Sequence, residues 1–415
     1  MVANASPHDG MTGSLAAGAP SVPFAAASSG LIVSIVRTRA QFDVLEADWN
    51  ALFARCAKGA HVFQSFNWNW HWANVYLAEA DNSLALIALY RGDRLVALWP
   101  LQEARLLGAR VLEWMGAPVS QYGDILIDPD EDARAVLECG WRTITQDLRV
   151  DALHLRKVRA DANVLPLLQT QRSRIASRSE APFLDIASAP DLATYETRYS
   201  SKTRKNRRRL ARRLAEAGAM RIERLADGPD AAEAARATVL LRRATLHATG
   251  RVSPALDDAR YARFFAEATS GTKPCGCRVT RILIDGKLVA SAIDVTQHGA
   301  RAAHMIAHDL QYEACGPGVT MVGDWVQAAF EDGIGVLDLL APAHSYKWDW
   351  ADSSVDVADH VVATSWIGRS MVVPYLIEVR PRLKNAWEQL AQWRAGRQAR
   401  GDRAPACDGR AEANG

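Results

Sequence analysis

The chain has 415 residues, 49% of them hydrophobic and 23% charged, with a formal net charge of +2. That length gives room for two domain cores, and so nearly neutral a balance supplies no global basic field to draw nucleic acid or an anionic membrane. No stretch offers the ~20 uninterrupted apolar residues that cross a bilayer. The six cysteines, at 56, 139, 275, 277, 315 and 407, lack the paired spacing of a zinc site, so reduced thiols, no bound metal and a cytoplasmic location are expected.

Residues 1–30 are rich in Ala, Ser, Gly and Pro but lack the basic cluster and compact apolar core of a signal peptide, and predict a disordered tail. A first αβ half is expected over 31–181. Its densest aromatic run is Phe63 to Trp72, where Ser65 suits an N-cap and Trp68 and Trp72 stand four apart on one helix face. Core packing there competes with stacking on a sugar or base. Strands are predicted over Leu84 to Leu89, Leu95 to Leu101, Val111 to Trp114 and Asp124 to Ile127.

The second half, 182–390, contains a basic helix at 200–215. Between Lys202 and Arg213 eight of twelve residues are cationic, while Leu210 and Leu214 supply one narrow docking stripe. Such density implies open solvent or an anionic neighbour. Arg278 to Ile284 and Leu288 to Val295 read as a hairpin about Asp285-Gly286, and Gln297-His298-Gly299 turns the chain into a third strand, Arg301 to Ala307. Then come Glu313-Ala314-Cys315-Gly316-Pro317-Gly318, a helix with Val319, Val322, Val326, Ala329 and Phe330 at helical spacing, a stop at Asp332-Gly333, and a strand over Val336 to Leu340. Residues 391–415 have almost nothing to bury and predict a second disordered tail.

The two halves share a design. Tyr90-Arg91-Gly92-Asp93-Arg94-Leu95-Val96-Ala97 matches Ile284-Asp285-Gly286-Lys287-Leu288-Val289-Ala290 as a hairpin, as expected if one αβ unit is used twice. The first half has no glycine loop like Gly316-Pro317-Gly318, which predicts a supporting or acceptor-binding role.

A glycine turn that opens a helix has a specific chemistry. The first helical N–H groups have no intrahelical partner and carry the positive end of the helix dipole. Phosphate oxygens satisfy both, and residues without a Cβ let a diphosphate approach the backbone. Pro317 fixes φ and removes one donor. Cys315 lies inside this turn as a small residue for which no nucleophilic role is required.

The loop and its strand order resemble the GNAT N-acetyltransferases, whose coenzyme A loop reads Gln or Arg, two residues, Gly, one residue, then Gly or Ala. Gly316 and Gly318 match, and Glu313 stands where the family carries a polar or basic residue. His308-Asp309, Tyr312, Asp338 and Tyr346-Lys347-Trp348 resemble the CelD-like branch, often linked to cellulose or polysaccharide synthesis, and the two-half layout resembles the FemAB-like transferases. The resemblance implies an α/β fold of two GNAT-like domains, each a mixed, mostly antiparallel sheet flanked by helices. It implies acyl transfer from acetyl-CoA or another acyl-CoA to a primary amine, on a small molecule or glycan precursor. The alternatives are an aminoacyl-tRNA-dependent transferase and a non-catalytic subunit of a polysaccharide synthesis system. The basic helix would then face solvent, coenzyme A phosphates, a phosphorylated acceptor or tRNA.

By the same resemblance, Gly316, Pro317, Gly318 and Val319 hold the cofactor, and a backbone N–H near Ala307 and His308, where the strands splay, serves the oxyanion. His308, Asp309 or Asp294 accepts the amine proton, His308 having an ordinary pKa near 6.5. Tyr346 protonates the leaving thiolate. Lys347 pairs with a phosphate or carboxylate, and Asp338 binds substrate or orients Lys347.

Overall fold

The computed structural model describes residues 30–77, 83–251, 253–387 and 389. The tails expected at 1–30 and 391–415 lie, but for Gly30, outside the described residues. In chain order the strands are β1 (Ile32–Val36), β2 (Ser83–Leu84), β3 (Leu86–Arg91), β4 (Arg94–Trp99), β5 (Leu101–Leu106), β6 (Ala109–Trp114), β7 (Leu126–Ile127), β8 (Ala152–Arg159) and β9 (Arg174–Asp185). They continue with β10 (Met220–Leu225), β11 (Cys277–Ile284), β12 (Lys287–Gln297), β13 (Ala300–His308), β14 (Val336–Asp338) and β15 (Ser353–Ala363). The helices that matter below are α1 (Phe66–Trp72), α2 (Ser201–Ala215), α3 (Pro229–Ala248), α4 (Ala259–Ala268), α5 (Pro317–Glu331) and α6 (Ser345–Trp348).

A small antiparallel sheet has the order β1-β3-β4-β7, and a second sheet of eleven strands runs β10-β11-β12-β13-β14-β9-β15-β8-β6-β5-β2. Among the described residues only β13 with β14 and β6 with β8 pair in parallel. This is the expected mixed, mostly antiparallel architecture flanked by helices. The halves are less separate than their sequence suggests, because the large sheet takes strands from both and β15 returns to lie between β9 and β8. The boundary expected at 181/182 falls inside β9, whose residues Phe183 to Asp185 pair with β14 while Arg174 to Phe183 pair with β15.

Both matched hairpins form. Gly92 takes φ +60° between β3 and β4, and Asp285 and Gly286, at φ +50° and +78°, turn β11 into β12. Two left-handed residues in a row are what a two-residue turn between twisted strands requires.

The aromatic run is core. Ser65 caps α1, and Phe66, Trp68 and Trp72 are fully buried. Trp68 packs on Phe264 of α4 with ring centroids 4.7 Å apart, so this cluster joins the two halves. Its indole N–H donates to Ser120 Oγ at 2.9 Å, which removes the polar edge a stacked sugar would use. No helix among the described residues is long and apolar enough to cross a membrane.

Helix α5 is held by its far end. Met321, Val322, Trp325, Val326 and Ala329 are buried against the sheet. Asp294, on β12, accepts from the Trp325 indole at 3.0 Å and faces Arg301 of β13 at 3.5 Å. Arg301 also bonds Asp332, just beyond α5, at 2.6 Å. Asp294 therefore serves as a clamp, not as the proton acceptor considered from sequence. Asp294→Ala leaves the buried Trp325 N–H without its acceptor and Arg301 with one carboxylate in place of two, and should lower the unfolding free energy by about 2 kcal/mol. Urea denaturation checks this; an unchanged midpoint would show that Asp332 alone satisfies Arg301.

Candidate active site

The site begins where two strands part. β13 and β14 run side by side only from Ala300 opposite Val336 to Ala302 opposite Asp338. Beyond that point Leu339 donates its N–H to Pro182 O at 2.9 Å and stays with β9, while β13 continues to His308 alongside β12. A cavity of about 660 Å³ fills the gap, with Ala303 to Ile306 and His308 on one wall and Leu339 to Pro342 on the other.

The parting frees backbone groups on one edge of β13. The N–H of Asp309 bonds Val289 O on β12 at 2.8 Å. In an antiparallel ladder donors alternate in direction, so the N–H of Ala307 also faces β12 while those of Ile306 and His308 face the gap. Of the N–H groups expected near Ala307 and His308, that of His308 faces the gap and that of Ala307 does not, and Ile306 adds a second.

The glycine turn lies at the mouth of this gap. Leu310–Cys315 forms a short 3₁₀ turn, Gly316 takes a left-handed conformation at φ +67°, and Pro317 opens α5. The first helical bond runs from Thr320 N–H to Gly316 O. Pro317 has no N–H, so those of Gly318 and Val319 are the donors the helix leaves without a partner. The two glycines have different reasons. A Cβ on Gly318 would meet nothing within 4 Å, whereas one on Gly316 would lie 3.0 Å from Leu210 Cδ1 of α2. Gly316 is thus demanded by its backbone angle and by the basic helix packed behind it, and Gly318 alone keeps the open approach that sequence assigned to both.

His308, Glu313, Tyr346 and Lys347 also line the cavity. His308 is half-buried; burial, helped by the Arg242 guanidinium, lowers its pKa against the pull of Glu313. Its Nε2 is buried and has no hydrogen-bond partner among the described residues. Tyr346, on the short helix α6 and 47% exposed, stacks on His344 with centroids 6.3 Å apart. Partial burial raises its phenol pKa, opposed by Arg242.

Other expected site residues are engaged elsewhere. Asp338 accepts from the Tyr122 hydroxyl at 2.9 Å, from Arg159 at 3.0 Å and from Leu340 N–H at 2.7 Å, and burial raises its pKa. It borders a separate cavity of about 220 Å³, so it does not reach a substrate in the gap. The Asp309 carboxylate accepts from Gln311 N–H at 2.9 Å and caps the 3₁₀ turn. Lys347 is buried, and its ammonium donates to Leu340 O at 2.7 Å and Pro342 O at 2.9 Å, tying down the strand end opposite His308. Burial brings its pKa down to about 8. Cys315 is half-buried in the turn and forms no disulfide.

Sequence reasoning missed His304, Arg242 and Gln121, which line the same cavity. His304 bonds Val119 O through Nε2 at 2.7 Å, which places its proton there and leaves Nδ1 buried without a partner. Burial pushes its pKa down to about 4. The signal available was the period of two along β13, which puts 304, 306 and 308 on one side.

Residues 201–348 match the model of the acetyltransferase (GNAT) domain. No curated protein matches the chain. Among solved structures, FemX is 10% identical over 78% of this chain and 95% of that chain, with a TM-score of 0.54. A conserved protein of unknown function from Bacteroides thetaiotaomicron VPI-5482 is 12% identical over 79% of this chain and 99% of its own, at 0.52. A tandem GNAT protein from the clavulanic acid biosynthesis pathway is 14% identical over 80% and 99%, at 0.45. The first two extend the fold likeness well beyond the matched segment. The chain carries a GNAT acetyltransferase domain and is an acyltransferase.

A side chain forced to a left-handed backbone costs roughly 1–2 kcal/mol. Gly316→Ala should therefore lose at least that much stability, with Leu210 adding to it. Gly318→Ala should unfold like wild type in the same denaturation series; equal losses at both positions would contradict the different roles assigned to them.

Proposed function

We propose that the protein moves an acyl group, acetyl foremost, from acyl-CoA to a primary amine, on a sugar or other envelope-polymer precursor of the kind associated with the CelD-like branch. The observation that carries this reading is the pair of N–H groups at Gly318 and Val319 that the start of α5 leaves without a helical partner, on residues lining the cavity and with open space beside Gly318. They suit a diphosphate by charge, geometry and room. Acyl-CoA held there would supply an activated thioester carbonyl.

The chain's own residues then have distinct tasks. The N–H of Ile306 or His308 is aimed into the gap and stabilises the oxygen that gains charge during transfer. Burial shifts the His308 imidazole toward its neutral form, and its place on the wall of the gap suits it to take the amine proton, directly or through water. The raised pKa of Tyr346 keeps its phenol protonated at the same pH, as a donor to the departing thiolate must be. Lys347 fixes the opposite lip of the gap through Leu340 and Pro342, a positioning role in place of the substrate contact expected from sequence. Neither Asp309 nor Asp338 takes part, since neither borders this cavity.

Titration calorimetry with acetyl-CoA tests the reading. The intact protein should bind, and Gly318→Trp, which fills the open side of the turn without straining the backbone, should abolish binding while the fold stays intact. Absence of binding by the intact protein, or unchanged affinity in Gly318→Trp, would refute the assignment.

A further inference from the structure

The basic helix α2 divides its cations between two tasks. Leu214 is fully buried, and Leu210 packs against the glycine turn. On that docking side Arg213 donates to Ala314 O at 3.2 Å. Arg207 lies 3.4 Å above the Trp350 ring and 4.0 Å from that of Tyr199, and it donates to Asp349 O. These two arginines fasten the helix to the site. Arg208 stands 3.8 Å from Glu196 and is also accounted for.

Lys202, Lys205 and Arg209 are different. All three are exposed. No bond or ion pair ties Lys202 or Lys205 to another described residue, and Arg209 reaches only Asn206 Oδ1, at 3.0 Å. Their spacing of three and four puts them on one helix face, spanning roughly 10 Å at 1.5 Å per residue. That face borders a cavity of about 570 Å³, whose other walls are Val319, Asp349 and Trp350. The same three residues also line the acyl cleft, so the two cavities adjoin at the start of α5. Asp349 is the sole carboxylate among the residues lining the outer cavity, against four cations. Holding like charges on one helix face is unfavourable without an anion to share.

We propose that Lys202, Lys205 and Arg209 hold the 3′-phosphate of the donor's nucleotide, the group that distinguishes coenzyme A from 3′-dephospho-coenzyme A. The proposal rests on the acyl-CoA reading above and adds a second phosphate site to it. A diphosphate on the N–H groups of Gly318 and Val319 leaves the nucleotide end of the molecule on the α2 side of Val319, where the exposed cations stand. A phosphate monoester that carries close to two charges gains from several flexible ammonium and guanidinium donors at once.

Calorimetry with coenzyme A and its 3′-dephospho form separates this site from the cradle. Wild type should prefer coenzyme A by about tenfold or more, the worth of one charge-assisted hydrogen bond. The triple variant Lys202→Ala, Lys205→Ala, Arg209→Ala should melt like wild type, bind both forms alike and match the wild-type affinity for the dephospho form. Gly318→Trp should bind neither. A triple variant that keeps the wild-type preference overturns the 3′-phosphate site while leaving the cradle standing, and so does a wild type that binds both forms equally. Failure of wild type to bind either form removes the acyl-CoA reading and this proposal together. RNA that copurifies with wild type, is lost in the triple variant and leaves the coenzyme A preference unchanged assigns the face to nucleic acid and overturns the proposal.

Discussion

Everything at this site follows from two parallel strands that stop pairing after three residues. Backbone donors and acceptors inside a sheet normally satisfy one another, and an edge opened in the middle of a sheet needs an outside partner. Here β13 is held on its other side by β12, and the continuation of β14 is held by β9. Neither strand is free to close the gap, so N–H groups of Ile306 and His308 face a cavity. Helix α5 starts at the mouth of that cavity and adds two more donors.

The polar groups that hold this opening are easily mistaken for chemistry. Asp338 ends β14, and its carboxylate is bound by Tyr122 and Arg159 of the other half and by the N–H of Leu340. It fixes the point of divergence. Lys347 then binds two carbonyls of the departing chain, and the Asp294, Arg301 and Trp325 cluster anchors α5 from behind. A charged side chain buried with several partners is a strut, because its desolvation is offset only while those bonds persist. His308 and Tyr346 differ, since both line the cavity without such a set of bonds and each is shifted by partial burial toward its neutral form.

Much of this was legible locally. The hairpin about Asp285-Gly286, the strands flanking it and the glycine turn before α5 all declare themselves within a few residues, because turn chemistry and period-two burial are short-range properties. What sequence could not supply was the partner at long separation. Asp338 is bonded to Tyr122, 216 residues away. The insertion of β15 between β8 and β9, the bond from His304 to Val119 and the packing of Leu210 behind Gly316 likewise depend on chain segments brought together only by the fold. Residues expected to act on a substrate were chosen for chemical type, and type does not tell whether a carboxylate is already bonded.

Hydrogen exchange followed by mass spectrometry, with and without acetyl-CoA, interrogates the opened edge itself. Peptides that contain Gly318 to Thr320 and Ile306 to His308 should exchange more slowly in the presence of acetyl-CoA, since both sets of partnerless N–H groups acquire acceptors. Binding that leaves these two segments unprotected, or protects only the groove bordered by Arg172, Arg178 and Trp348 on the far side of Pro342, would contradict the account.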